Sequence, residues 1–489
     1  MRVCLMDADA GRRFGAPLPF GAEDVKKDLG LEEVIGAMAG EDPVIRASAE
    51  TALLSPLKEE ERILYRQRIL RDCLRNPREI RRLYALAGAA LDAQEDGDLH
   101  FSELQTVSRQ FDRCLTRLTR LLEALQKLRA LAEENRESVS SPGLQGLFKD
   151  LLGNLDDAFF SGADQLLAQL RFPGGMLIGA RLSRTGRSVG HRLLCCGPEE
   201  RDRLSGETFY QVPEGDQRGN ADLLHRRELA LADSNRILVR AVSGVCEYLR
   251  TLRRELAFYI GCMNLYELLQ ARGLAVCFPA LSAQPEHWSA AGLTELCLGL
   301  QGSAPASNDL EADGCCLVTG ADQGGKTTFL RSLGQAQLML QCGMFTAASS
   351  FRAPAADGVY THFQREEDRG LVNGKLGEEL SRMSGIVDHL HRGSLVLCDE
   401  SFCSTNEREG AEIALQVTEA LRAAGVSVFA VTNLFPFARE LYARRKAEPC
   451  TFLRAERLAD GTRTRRILPG EPQRTSFCED LYREIFQEA

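Results

Sequence analysis

The 489-residue sequence predicts an all-α N-terminal part with long helices and a small β-containing insert, followed by an α/β C-terminal domain. Two observations support this assignment. Before residue 273, apolar side chains recur at helical spacing over long stretches with few prolines. After it, short apolar runs at residues 317–319, 395–398 and 426–431 alternate with helical segments, which is typical of a mainly parallel sheet with helices on both faces.

The helical part divides into two segments by pattern. Residues 1–105 form a charged helical core segment, in which residues 59–83 carry apolar side chains at helical spacing around a break at Pro77. Residues 106–272 form the second segment. A long helix is predicted for residues 111–132 and another helical stretch for residues 144–170. The apolar stripe of the first consists of Phe111, Leu115, Leu118, Leu122 and Leu125.

The longest predicted helix covers residues 220–272, which contain no proline. At 1.5 Å per residue it would reach roughly 75 Å, which exceeds ordinary globular helices. This length favours an elongated antiparallel lever, and a buried helix of a compact bundle is the alternative. Apolar side chains recur along it at seven-residue steps: Leu224, Leu231, Leu238, Val245, Leu252, Tyr259 and Tyr266.

An insert of different character, at about residues 172–219, interrupts the predicted lever and reads as strand, turn and strand. Residues 171–198 contain no Asp or Glu. Arginines on such a hairpin suit contacts with nucleic-acid phosphates without base reading, and a solvated basic face is the alternative. The basic side chains are Arg171, Arg181, Arg184, Arg187, His191 and Arg192.

A glycine-rich loop at residues 319–328, TGADQGGKTT, follows an apolar run and precedes a helical pattern. This context is typical of a P-loop, in which backbone N–H groups close on phosphate oxygens. Lys326 would reach the β- and γ-phosphates of ATP, and the Thr327 hydroxyl would ligate Mg²⁺. Residues 273–489 are therefore predicted to be a P-loop ATPase domain. The other loop residues assigned to the nucleotide are Gly320, Ala321, Asp322, Gln323, Gly324, Gly325 and Thr328.

An acidic pair ends another buried strand, where residues 394–400 read SLVLCDE. Asp399 would hold Mg²⁺ through water. Glu400 stands where ATPases that dimerise around nucleotide polarise the attacking water, which must lose a proton as the phosphoryl group leaves. The pairing of this strand with the loop at Lys326 makes both assignments more specific than either motif alone.

Together these motifs resemble the MutS family. The loop TGADQGGKTTFLR, Asn308-Asp309 upstream, the stretch GMFTAA at residues 343–348, SLVLCDE and Gly410 keep the family's order. The resemblance implies an ABC-type ATPase that forms a homodimer around ATP, with the insert between the lever arms acting as a DNA clamp. It also implies that Asn308 lies near the adenine and that Asn433 senses the γ-phosphate.

This chain departs from the family at two places in the site. Ser404, Thr405 and Asn406 stand in the segment that, in the family, reaches across the dimer to the partner's γ-phosphate. Asn433 stands where the family has His, and an amide can orient a water but cannot shuttle a proton. We therefore expect ATP hydrolysis to be slow. The stretch before residue 59 is also too short for the family's mismatch-recognition and connector domains, so mismatch recognition of the usual kind is not expected.

Composition restricts the remaining possibilities. The net charge of −9 argues against indiscriminate nucleic-acid binding, so DNA contacts must come from a local basic surface, for which Arg181, Arg184, Arg187 and Arg192 are the candidates. The 16 cysteines show no metal-ligand spacing and are expected to be reduced thiols. No apolar run reaches membrane length. These features predict a soluble, cytoplasmic protein.

The combined prediction is an ATP-dependent DNA-binding protein of the MutS type that couples ATP binding and hydrolysis to a DNA clamp. Two alternatives remain. The chain could be a nucleotide-gated protein-interaction switch with weak or no hydrolysis. It could also be an SMC-type structural ATPase, but the loop at Lys326 and the strand at Asp399 both follow the lever, whereas in that class they flank it.

Overall fold

The computed structural model describes residues 2–8, 17–92, 106–173, 175–194, 211–213, 215–365, 374–446, 449–458 and 461–473. These residues fall into two compact units. The first comprises the described residues within 1–3, 78–139 and 144–253, and the second those within 4–77, 140–143 and 254–489. The predicted segment 1–105 is therefore divided between the two units.

Short helices open the chain, and the first of them belong to the second unit. They are α1 (Ala22–Asp28), α2 (Leu31–Ala39), α3 (Pro43–Leu54) and α4 (Glu60–Arg75). Asp42 caps α3 by accepting the N–H groups of Val44 and Ile45. Helix α5 (Pro77–Asp92) begins at the predicted proline break, since proline fits the first turn of a helix but not its interior.

The first unit contains α5 from residue 78 onward and the elements that follow: α6 (Val107–Glu134), α7 (Pro142–Asn154) from residue 144 onward, α8 (Asp157–Leu170), β1 (Ile178–Leu182), β2 (Ser188–Leu193) and α9 (Gln217–Ala271) up to residue 253. The predicted stripe of α6 is buried, apart from half-buried Leu118. The prediction of one helix over residues 144–170 was wrong. The chain leaves the helical conformation at Asp156, whose carboxylate accepts the N–H of Phe159 and starts α8 anew.

Strands β1 and β2 pair antiparallel and confirm the predicted hairpin. Its candidate DNA-contacting arginines, Arg181, Arg184, Arg187 and Arg192, are all exposed. Residues 195–210, which include the predicted end of the second strand, lie outside the described residues. On α9 the seven-residue pattern is buried at Leu231, Leu238, Leu252 and Tyr259, whereas Leu224 is 49% exposed.

The remaining elements belong to the second unit. They are β3 (Ala280–Leu281), β4 (His287–Leu293), α10 (Leu296–Leu300), β5 (Asn308–Asp313), β6 (Cys315–Thr319), α11 (Lys326–Cys342), β7 (Ser350–Ala353), β8 (Val359–Phe363), α12 (Lys375–Val387), β9 (Leu395–Asp399), α13 (Glu407–Ala423), β10 (Ser427–Val431), α14 (Phe435–Arg444), β11 (Thr451–Arg457) and β12 (Arg463–Pro469). The predicted closing helix at residues 479–487 lies outside the described residues.

The main sheet has the strand order β12-β11-β6-β10-β9-β8 and is parallel except for β12, which confirms the predicted mainly parallel sheet. Every residue of β6, β9 and β10 is buried, as expected for strands covered on both faces. A second sheet, β3-β7-β4-β5, is mixed and was not predicted from the sequence.

Helix α11 is almost entirely buried and carries three buried glutamines, Gln335, Gln337 and Gln341. Gln335 donates to the carbonyl of Leu29, and Gln341 donates to the carbonyl of Leu57. Because buried amides must be hydrogen-bonded, these contacts fasten the N-terminal helices to the helix that follows the glycine-rich loop. Among the described helices none is both long and apolar enough to cross a bilayer.

Candidate functional site

Three strand ends meet at one edge of the main sheet. In the parallel register Val431 on β10 lies opposite both Val318 on β6 and Asp399 on β9. The glycine-rich loop, Glu400 and Asn433 each follow directly after one of these strands, so they meet at the same edge. In open α/β sheets, ligands bind outside the carboxyl ends of the strands.

A cavity of about 450 Å³ lies at this edge. It is lined by Asn308, the loop residues Asp322, Gln323, Gly324, Gly325, Lys326, Thr327 and Thr328, and by Glu400, all of which the sequence assigned to the site. Gly320 and Ala321 do not line it, but their carbonyl oxygens accept hydrogen bonds from Lys326 Nζ at 2.8 and 3.2 Å. The predicted loop residues are therefore brought together around one space.

Backbone conformation explains why the loop needs its glycines. Gly325 has a φ of 89° and immediately precedes α11, and a Cβ there would lie 3.0 Å from the carbonyl oxygen of Arg465 on β12. A Cβ on Gly324 would lie 2.7 Å from the Cβ of Ala455 on β11. The hairpin formed by β11 and β12 thus packs directly against the loop, which leaves no room for side chains at these two positions.

Lys326 is the central cation of the site and is only 4% exposed. Besides the two carbonyls, its Nζ donates to Asn433 Oδ1 at 3.0 Å and lies 3.4 Å from Asp322 Oδ1. Asn433 Nδ2 in turn donates to Asp322 Oδ1 and to Glu400 Oε1, each at 2.9 Å. The Asn433 amide therefore joins the loop cation to both carboxylates of the cavity.

Thr327 and Asp399 form a pair of oxygen ligands beside the loop. Thr327 Oγ1 donates to Asp399 Oδ1 at 3.1 Å. Burial raises the pKa of Asp399 to about 6, and the Thr327 hydrogen bond opposes this effect. A hydroxyl and a carboxylate suit a hard cation such as Mg²⁺, with phosphate and water oxygens completing the coordination. Among the described residues no cluster of three or more His, Cys, Asp or Glu could hold a metal ion.

Glu400 occupies an unusual backbone conformation, with a φ of 51°. Its N–H donates to the carbonyl of Val431 at 2.9 Å, which holds the strained turn in place. Burial raises the pKa of Glu400, Lys326 lowers it, and Asp322 raises it. A carboxylate with a raised pKa that lines the cavity can orient a water molecule and accept its proton.

Asn308 lines the cavity, but its amide is already engaged. Its Oδ1 accepts the N–H of Ile467 on β12 at 2.7 Å, and its Nδ2 donates to the carbonyl of Ala306 at 3.4 Å. Asn308 therefore braces β5 against β12 next to residues 303–306, which also line the cavity. Its predicted position near the adenine stays a prediction.

Sequence reasoning did not assign Arg465 to the candidate site. The structure places it on the cavity wall, with a backbone φ of 60° that is uncommon for residues other than glycine. Its neighbour Arg463 donates to Gln323 Oε1 at 3.2 Å. The basic run on β12 is visible in the sequence, but the pairing of β11 with β6 that brings it beside the loop is not.

Ser404, Thr405 and Asn406 do not line the cavity of their own chain. Ser404 Oγ donates to Glu379 Oε1 at 2.8 Å, Thr405 Oγ1 donates to Glu409 Oε2 at 2.9 Å, and Asn406 caps α13 through the N–H of Glu409. A contact with nucleotide from this segment requires a second chain and stays a prediction. A Cβ on Gly410 would clash with the carbonyl oxygen of Phe402, so the turn that carries the segment requires glycine here.

In comparisons with known proteins, one family model matches the helical part of the chain and another matches the C-terminal part. The family model described as the MutS2 N-terminal domain matches residues 58–272, and the model described as MutS domain V matches residues 316–455. The second match contains the glycine-rich loop, Asp399, Glu400 and Asn433.

Individual relatives agree with these two matches. An "Endonuclease MutS2" of Streptococcus equi subsp. equi is 28% identical over 313 residues, which cover 61% of this chain and 38% of that protein. An "Endonuclease MutS2" of Thermus thermophilus is 34% identical over 24% of this chain and 16% of its own length. A "DNA mismatch repair protein MutS" of Thermus aquaticus is 33% identical over 26% of this chain and 17% of its own length.

The matched stretches thus span less than half the length of each of these relatives. Their agreement lies in the order of two family segments along one chain. It also lies in the motif residues that the structure gathers at one sheet edge. On these grounds the chain belongs to the MutS family.

Proposed function

We propose that this chain is an ATP-dependent DNA-binding protein of the MutS type, with a P-loop ATPase domain of the ABC type at residues 273–489. The observation that carries the proposal is the convergence of Lys326, Thr327 and Glu400 around one cavity, with Asp399 hydrogen-bonded to Thr327. A polyphosphate needs a cation, a metal site and a water-orienting carboxylate within a few ångströms of each other. Few other ligands require this set.

The chain's own residues would divide the reaction as follows. Loop N–H groups and Lys326 hold the phosphates, Thr327 and Asp399 hold Mg²⁺, and Glu400 orients the attacking water and accepts its proton. Bound Mg²⁺ would neutralise charge on the β- and γ-phosphates. Asn433 holds Glu400 in position through its 2.9 Å hydrogen bond, but it cannot take up a proton, so we infer that turnover is slow.

We further propose that the chain forms a homodimer around ATP, with Ser404, Thr405 and Asn406 reaching the partner's nucleotide. Residues 106–272 would act as a lever whose insert, at about residues 172–219, clamps DNA. Support for the last point is the exposed hairpin, whose four arginines suit phosphate contacts. Residues 1–105 would supply the helical core segment, and the chain would act in the cytoplasm.

The decisive experiment measures ATP binding and ATP hydrolysis by the full chain, with and without duplex, mismatched and branched DNA. Lys326→Ala should lose nucleotide binding, because the main cation that faces the phosphates is removed. Glu400→Gln should bind ATP normally and hydrolyse it about 10²- to 10⁴-fold more slowly. Equal hydrolysis by the wild type and Glu400→Gln would show that Glu400 is not the base.

Assembly is tested with the same pair of proteins. If ATP closes a dimer around Glu400, Glu400→Gln should dimerise more completely with ATP and Mg²⁺ than the wild type does, since hydrolysis no longer dissolves the closed state. Sedimentation velocity measures the monomer and dimer fractions. A monomer that is unchanged by ATP in both proteins would contradict the composite site.

A nucleotide-gated protein-interaction switch is the second candidate function. It is favoured by Asn433, which has no titratable group, and by the bonds within the chain that occupy Ser404, Thr405 and Asn406. The two functions separate in the experiments above. Lys326-dependent ATP binding without hydrolysis, and without detectable DNA binding, would favour the switch.

A further inference from the structure

The glycine-rich loop contains an acidic side chain, Asp322, beside the residues proposed to bind phosphate. The Asp322 carboxylate lines the cavity, and its Oδ1 both accepts the amide of Asn433 at 2.9 Å and lies 3.4 Å from Lys326 Nζ. It therefore occupies the two donors that a γ-phosphate would use. Its side chain is 49% exposed, which leaves it free to move away from the loop.

Charge explains the contact. Lys326 is buried, and apart from Asp322 its hydrogen-bond partners are the neutral oxygens of Gly320, Ala321 and Asn433. A buried ammonium is stabilised by a nearby negative charge, and the Asp322 carboxylate supplies one. Phosphate oxygens would supply the same charge, so the carboxylate and the phosphates compete for one cation.

Glu400 adds a second negative charge to the same cavity, and its Oε1 binds the same Asn433 nitrogen as Asp322. The two carboxylates are close enough that Asp322 contributes to the raised pKa of Glu400, after burial as the main cause. Glu400 has a proposed role with the attacking water, whereas Asp322 has none. Asp322 thus stands in a phosphate-binding loop as a charge of the wrong sign.

We propose that Asp322 opposes nucleotide binding: its carboxylate contacts Lys326 and Asn433, and an incoming di- or triphosphate must displace it from both. This inference rests on the proposed nucleotide function and gives it a regulatory element. Release of Asp322 also breaks one of the two hydrogen bonds of Asn433 Nδ2. The other, to Glu400, is kept.

The test compares wild type, Asp322→Asn and Lys326→Ala by titration with fluorescent ATP, ADP and AMP analogues in the presence of Mg²⁺. Asparagine keeps the shape of the side chain and can still accept from Asn433, so the loop is preserved. We expect Asp322→Asn to bind the ATP and ADP analogues at least about tenfold more tightly, since unit charges a few ångströms apart interact strongly near a protein surface. The AMP analogue, which lacks the phosphates that face Lys326, should bind equally to wild type and Asp322→Asn.

Salt dependence separates charge from a structural effect. The affinity ratio between Asp322→Asn and wild type should fall as salt is raised from about 0.05 to 0.5 M, because repulsion at an exposed carboxylate is screened. Glu412→Gln removes the same charge from an exposed position on α13 and serves as the matched control. It should bind nucleotide as the wild type does.

The outcomes are distinct. Equal or weaker ATP binding by Asp322→Asn, in a wild type that binds ATP through Lys326, overturns the inference and leaves the proposed function standing. If Asp322→Asn binds ATP more weakly than the wild type with Mg²⁺, and this difference disappears when EDTA replaces Mg²⁺, Asp322 is a metal ligand instead. An equal gain in Glu412→Gln would assign the effect to net charge and also overturn it. No binding by wild type, Asp322→Asn or Lys326→Ala would remove the proposed function, and this inference with it.

Discussion

His362 provides a quantitative prediction about the segment that follows Glu400. It lies on β8, is 1% exposed, and its Nδ1 is 2.6 Å from the hydroxyl of Ser401, the residue after Glu400. Its Nε2 is 3.0 Å from the carbonyl of Glu379 on α12. Burial, and next the charge of Arg382, lower the pKa of His362 from 6.5 to about 4, although the Glu379 hydrogen bond favours the charged ring.

The direction of the pH effect follows from the two states. The unfolded chain protonates His362 below pH 6.5, whereas the folded protein keeps it neutral down to about pH 4. Its contribution to stability is therefore complete above pH 6.5 and is lost as the pH falls from 6.5 towards 4. The difference of pKa corresponds to about 3 kcal/mol, at about 1.36 kcal/mol for each pKa unit.

Urea unfolding at several pH values between 7 and 4 measures this contribution, with the fluorescence of Trp288 as the probe. Trp288 is the one tryptophan of the chain and is buried in the same unit as His362. We expect the stability difference between wild type and His362→Gln to fall by about 3 kcal/mol over this range, because glutamine does not titrate. His391→Gln, which changes an exposed histidine, should show no such trend. A difference that stays constant, or that grows as the pH falls, would refute the reasoning.

Three further predictions concern the cavity at the sheet edge, the turn after Asp399 and the proposed DNA contact. Arg465→Ala should weaken ATP binding about tenfold in nucleotide titrations, since Arg465 is a cation on the cavity wall, whereas Arg466→Ala should not, since Arg466 does not line the cavity. Gly410→Ala should destabilise the second unit by about 1–3 kcal/mol, because a Cβ would press on the Phe402 carbonyl, and an unchanged unfolding midpoint would contradict this. Replacing the hairpin arginines by Ala should weaken DNA binding equally for all sequences and lower the salt slope by about one for each lost phosphate contact, with ATPase activity without DNA unchanged. A preserved slope would move the DNA contact to the arginines of β12. The hairpin variant for this test combines Arg181→Ala, Arg184→Ala and Arg187→Ala.

The sequence alone was sufficient for the features that depend on short-range pattern. The glycine-rich loop, the acidic pair Asp399-Glu400 and Asn433 each follow an apolar run, and parallel strands place their carboxyl ends at one edge. Helical spacing likewise predicted α6 and α9, because the 3.6-residue period is a local property. The same pattern missed the break at Asp156, since a helix cap and a continuing helix share the same apolar spacing on either side.

Only the tertiary structure decided which segments pack together. Residues 4–77 belong to the same unit as residues 254–489 because buried Gln335 and Gln341 on α11 bind backbone carbonyls some 300 positions earlier in the chain. Arg465 reaches the cavity because β11 pairs with β6. The ion pair between Asp322 and Lys326 depends on a side-chain geometry that the motif does not contain. Long-range contacts of this kind leave no periodic trace in the sequence, since each partner is fixed by shape and hydrogen bonding in the folded unit.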